Sequence, residues 1–129
     1  MSYKEYKVRV YTNRTSWLNA NGNHHREDGP AIDYANGNKE WYQNGKLHRE
    51  DGPAVEYANL TKEWYRKGKR HREDGPAWEM PSGLKAWFIN GKELTEQEFL
   101  ARIQGKELTV SEVEKLLGHP VKIVKGEAS

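Results

Sequence analysis

The chain has 129 residues, five Trp, seven Tyr, no Cys and a formal net charge of +2. Charged residues make up 31% and apolar residues 35%, with a mean hydropathy of −1.07. These values exclude disulfides, thiolate metal sites and a strongly basic nucleic-acid binder, and the periodic aromatics argue against disorder. No apolar run is long enough to cross a bilayer as a helix. The opening MSYKEYKVRVY lacks the apolar core of a signal peptide. A soluble, cytoplasmic protein is expected.

Residues 1–23 read as an N-terminal strand and an irregular first unit. Tyr6 to Tyr11 alternates charged and apolar residues, a strand pattern. Trp17 stands five residues before Gly22, whereas Trp41 stands four before Gly45, so one residue is inserted. An end repeat or a bulge accounts for that.

Residues 24–94 are a repeat array. The heptapeptide HREDGPA begins at His25, His48 and His71, a spacing of 23 residues. Aromatic pairs keep the same period at Trp41-Tyr42, Trp64-Tyr65 and Trp87-Phe88, as do Asn21-Gly22, Asn44-Gly45, Lys67-Gly68 and Asn90-Gly91. A fixed period of this length marks a repeat architecture. Asn36-Gly37 suits a two-residue type I′ hairpin turn. That turn pairs Tyr34 with Lys39, Asp33 with Glu40 and Ile32 with Trp41. The like charges of Asp33 and Glu40, and of Glu56 and Glu63, argue against this register. The second turn, Asn44-Gly45, leads either into a wide loop or into a return strand that sets His48 opposite Trp41.

Residues 95–129 change character and read as a cap on the open sheet. Thr95 with Glu98, and Thr109 with Glu112, form capping boxes for two short helices. Val110, Val113, Leu116 and Leu117 give the second helix an apolar face, and Gly118 ends it. Val121 to Lys125 reads as a last strand. The expected fold is mainly β, a single-layer antiparallel meander of hairpin repeats with a small helical cap, α+β overall.

Four groups of residues are candidates for function. His25, His48 and His71 with Asp28, Asp51 and Asp74 include metal-ligand types, but the three copies are identical. A catalytic site needs asymmetry, and Arg beside each copy repels a metal, so a structural turn is expected, with no catalytic residue, metal or cofactor. Trp41, Trp64 and Trp87 read as a buried ladder rather than a stacking platform. The third tip differs sharply: Arg66, Lys67, Lys69, Arg70 and Arg72 carry five positive charges, where the equivalent second tip carries two. Divergence within an array marks a binding site, because packing does not need it. Tyr42 and Tyr65 are expected as exposed contact aromatics.

The residues Trp41, Asn44, Gly45, Lys46 and His48, and again Trp64, Gly68, Lys69 and His71, resemble the membrane occupation and recognition nexus (MORN) repeat over roughly residues 17–94. HREDG replaces the usual His-Gly step, and Lys67 replaces Asn. The HREDGPA variety is similar to a MORN-like subfamily of tailed phages and bacteria. The resemblance implies a curved sheet of hairpins that binds proteins, or sometimes lipid headgroups, without catalysis. The expected function is a protein–protein interaction module, a phage accessory protein that occludes a bacterial host or defence protein as anti-CRISPR inhibitors do. Anionic lipid or phosphate binding through the basic tip, and self-assembly as a homodimer or structural component, are the alternatives. Nucleic acid is not an expected partner.

Overall fold

The computed structural model describes residues 6–121. These contain thirteen short strands and two helices. β1 (Lys7–Val10) and β2 (Arg14–Leu18) precede the full units. One unit supplies β3 (Ile32–Tyr34), β4 (Lys39–Glu40), β5 (Tyr42–Gln43) and β6 (Lys46–Leu47). The next supplies β7 (Val55–Glu56), β8 (Lys62–Glu63), β9 (Tyr65–Arg66) and β10 (Lys69–Arg70). The last contains β11 (Trp78–Glu79), β12 (Lys85–Ile89) and β13 (Lys92–Leu94), followed by α1 (Glu96–Ala101) and α2 (Val110–Leu117). Nine strands form one antiparallel sheet in the order β1-β2-β3-β4-β7-β8-β11-β12-β13, and β5-β6 and β9-β10 are separate two-stranded ribbons. The expected mainly-β meander with a helical cap is the fold observed. The strand expected from Val121 to Lys125 falls, beyond Val121, outside the described residues.

The main hairpin register differs from the expected one by a residue. Ile32 pairs with Glu40 and Asp33 with Lys39. The turn has three residues, closed by Tyr34 N–H donating to Asn38 O at 2.9 Å and Gly37 N–H to Tyr34 O at 3.0 Å. Gly37 holds φ +98° while Asn36 stays out of the left-handed region. This is a type I turn with a glycine bulge, not the type I′ turn. The charges decide it. The observed pairings are Asp33 with Lys39, Glu56 with Lys62 and Glu79 with Lys85, opposite in sign every time. A one-residue slip flips a whole strand between faces. Glu40 therefore shares a face with Ile32, and Lys39 and Trp41 take the other.

The return strand after the second turn is present. Asn44, Lys67 and Asn90 hold φ of 50°, 51° and 49°, with positive φ at the glycines that follow. These are type I′ turns, and His48 N–H donates to Trp41 O at 3.0 Å. In the first unit the extra residue sits in this turn: Asn19 N–H donates to Asn23 O and Gly22 N–H to Asn19 O, both at 2.9 Å. The insertion turns a two-residue loop into a three-residue one and leaves the strands in step.

Each unit buries little apolar surface. Ala31, Ala54 and Ala77 are fully buried, with Ile32 and Val55 nearly so. The largest apolar cluster is at the C-terminal end, where Trp87, Phe99 and Leu116 gather Ile89, Leu94, Ile103 and Leu108. Both capping boxes form, and Gly118 ends α2 at φ +73°. Trp87 Nε1 donates to Leu116 O at 2.8 Å, and Lys85 Nζ to Gly118 O at 3.1 Å. Burying side chains such as Phe99 and Leu116 contributes about 2–3 kcal/mol each. The cap thus supplies the apolar burial that the thin sheet lacks.

Candidate functional site

HREDGPA is the joint between units. His25, His48 and His71 are buried, and each Nδ1 accepts the backbone N–H of the first turn residue of the next unit, from Asn44, Lys67 and Asn90 at 2.9 Å each. Each Nε2 lies 3.6 Å from a glutamate, Glu27, Glu50 or Glu73. Arg26, Arg49 and Arg72 sit over the rings of Trp17, Trp41 and Trp64, with Cζ at 4.0, 3.9 and 3.9 Å from the centroids. Their Nε atoms donate to Asp28, Asp51 and Asp74 at 2.9–3.0 Å, and their Nη1 atoms to the carbonyls of Pro30, Pro53 and Pro76. The glycine leaves room for the guanidinium: a Cβ at Gly52 would lie 2.9 Å from Arg49 Cζ. The motif residues are engaged with one another or with the adjacent unit. Among the described residues no group of three His, Asp or Glu is arranged to hold a metal. Open grooves of about 870 and 480 Å³ separate successive loops, and their walls are these same paired side chains.

The Trp series does not form one buried ladder. Trp41 and Trp64 are half-buried beneath their arginines, and only Trp87 is deeply buried, at 6% exposure. Trp87 has no fourth arginine; α2 and Phe99 cover it instead.

Tyr42 and Tyr65 are not free exposed aromatics. Both are half-buried, and their hydroxyls donate to Glu40 at 2.7 Å and Glu63 at 3.2 Å. Glu40 stands two residues before Tyr42, and Glu63 two before Tyr65, so each carboxylate lies on the face of its own tyrosine. Burial, then the Glu40 hydrogen bond, raises the Tyr42 pKa. Glu63 is 5% exposed and also accepts from Tyr57 at 2.7 Å and from Arg70 Nη2 at 2.6 Å. The Glu63 hydrogen bond, then burial, pushes the Tyr57 pKa up to about 12. The Glu–Tyr pair of this network recurs at the repeat period, but its arginine does not, because Arg70 stands where the previous unit has Leu47.

The basic tip therefore divides in two. Arg70 is tied to Glu63 and Tyr65, and Arg72 to Asp74, Pro76 and Trp64. They are framework residues, because a buried carboxylate and a half-buried indole need them there. Arg66, Lys67 and Lys69 are exposed on β9, the turn and β10, and their side chains make no hydrogen bond or ion pair among the described residues. The tip series also extends further than the third unit. Lys46, Lys69 and Lys92 each follow a turn glycine, a period visible in the sequence but not singled out by counting charge in one tip.

Comparison with protein-family models, curated proteins and solved structures gives no match for this chain.

Proposed function

We propose that the protein is a non-enzymatic interaction module whose third hairpin tip engages an acidic surface on a protein partner. Lys67 carries the argument. It holds φ +51° where Asn44 and Asn90 stand in the neighbouring units. Asn tolerates that backbone, and a lysine there costs about 1 kcal/mol. Nothing in the packing rewards the exchange, since the Lys67 side chain is exposed and unpaired. It does add a third cation between Arg66 and Lys69. Strain kept at an exposed, charged position fits a contact residue.

The mechanism is occlusion by a stiff array. The bacterial host or defence protein implied by the MORN-like resemblance is the occupant to test. Tagged protein captures partners from bacterial lysate, beside a variant with Arg66, Lys67 and Lys69 each changed to Glu, and beside Lys67→Asn. Recovery of one acidic protein in stoichiometric amount, lost with the triple variant and weakened by Lys67→Asn at raised thermal stability, supports the reading. Equal capture by all three ends it. Anionic lipid binding is the second reading, favoured by the same three cations. Flotation with phosphatidylserine vesicles, without protein capture, would replace the first reading with the second.

A further inference from the structure

The tips repeat a cation as well as concentrate it. Lys46, Lys69 and Lys92 occupy the same place in three successive units, and all are exposed. Their stems lie along the stack: a Cβ at Gly68 would stand 3.6 Å from Lys46 Cβ and 3.7 Å from its Cδ. A Cβ at Gly91 would meet Lys69 in the same way, at 3.6 and 3.7 Å. The stems of Lys46 and Lys69 thus run beside the turn glycine of the next unit, and both residues stay exposed. Successive units advance by two strands of the sheet. At ~4.8 Å per strand, the row repeats every ~10 Å.

We infer that this row binds an extended acidic peptide segment in the polyproline II conformation, with a carboxylate at every third residue. The inference rests on the tips being the binding surface proposed above. A polyproline II chain has three residues per turn and rises ~3.1 Å per residue, so every third side chain faces one way at ~9.3 Å. That matches the lysine repeat. A β-strand does not match, because its third residue points to the opposite side. A helix with acids at every seventh position comes close, at ~10.5 Å. However, sheets twist by ~20° per strand, so successive tips turn by ~40°. A straight helix or a flat bilayer then meets one or two tips at a time. A polyproline II chain has no internal hydrogen bonds to break and follows the row. Charge complementarity selects Asp or Glu at the matching positions. Arg66 and Lys67 add positive charge at the middle tip.

The test is a chemical-shift titration of the isotope-labelled full chain. The probes are a peptide with Asp at every third position separated by Pro and Ala, the same composition with the aspartates contiguous, and a helical peptide with Glu at every seventh position. Oligothymidylate and phosphatidylserine vesicles complete the set. The spaced peptide is expected to bind ~10-fold tighter than its scrambled form, with shifts confined to residues 44–46, 67–69 and 90–92. Lys46→Gln, Lys69→Gln and Lys92→Gln should each weaken it about 2- to 5-fold, with the fold intact by the same spectra. Equal binding of the scrambled peptide overturns the inference, as does tighter binding of the helix, the oligonucleotide or the vesicles. If spacing has no effect while the triple Glu variant still releases a captured protein, the tip reading stands and only this inference falls. If the triple variant releases nothing, both fall.

Discussion

Two residues show how little tolerance a thin fold has for local misfit. Leu60 holds φ +75° and is 69% exposed, in the turn position where the other units place Gly37 and Gly83. A left-handed leucine costs about 1–2 kcal/mol, and glycine returns part of that through its greater freedom when unfolded. Leu60→Gly is therefore expected to stabilise the protein by about 0.5–1 kcal/mol, seen as a higher thermal midpoint. An unchanged or lower midpoint would show that Leu60 makes a contact worth its backbone strain. Nothing in the structure explains a leucine there. His71 is the opposite case, a residue the fold requires. Its Nδ1 must stay unprotonated to accept the Asn90 N–H. Burial, then the nearby Arg66, lowers its pKa below 6.5 against the opposing pull of Glu73, and Arg102 adds least. A depressed folded-state value means that its contribution is complete above the unfolded value near 6.5. Stability then falls as pH drops from there through the folded value. Urea unfolding at stepped pH should show that fall, and His71→Gln should lose part of it while starting from lower stability at neutral pH. A variant with the wild-type pH slope would place the acid limb elsewhere.

Elements that depend on near neighbours were legible in the sequence, and those that depend on docking were not. Thr95 with Glu98 and Thr109 with Glu112 cap helices through bonds three residues apart, so their spacing reveals them. The Asn44-Gly45 turn is similarly local. The Asn36-Gly37 turn misleads, because the same dipeptide serves a three-residue loop once the cross-strand charges choose the register. Tyr42 and Tyr65 are misjudged for a different reason: Glu40 and Glu63, two residues before them, share their face and accept their hydroxyls. Nor does the sequence indicate that α2 replaces the missing fourth arginine over Trp87. That role predicts a difference between equivalent glycines. A Cβ at Gly52 meets only the flexible end of Arg49, at 2.9 Å, whereas one at Gly75 meets Arg72 Cζ at 2.8 Å and the backbone carbonyl of Lys115 in α2 at 3.0 Å. Gly75→Ala is therefore expected to cost about 1–3 kcal/mol, and Gly52→Ala less than about 1 kcal/mol, by urea denaturation. Equal losses would mean that α2 yields freely and does not clamp the third loop.

At the scale of the molecule, stability is carried between units more than within them. A unit alone buries one Ala and one Ile or Val deeply, which is too little for independent folding. The HREDGPA joint ties neighbours together in both directions: its histidine accepts from the turn that follows, and its arginine covers the tryptophan that precedes it. The charge row Asp33, Lys39, Glu56, Lys62, Glu79, Lys85 alternates across strand pairs that join units as well as those inside them. Such an array behaves as a sum of unit and neighbour-interface terms. It should therefore accept another copy. Inserting a second copy of residues 48–70 after Arg70 recreates the local sequence at both joints. It adds one histidine bond, one arginine–tryptophan pair and one Glu–Lys step to the row, and leaves the cap on its own unit. The longer chain is expected to fold in a single transition, with an unchanged circular dichroism spectrum per residue, a steeper denaturant dependence and a thermal midpoint at or above that of the parent. A steeper dependence follows from the larger surface exposed on unfolding. Two separate transitions, or a lower midpoint, would show that the existing units are fitted to their places and that the interface terms do not transfer.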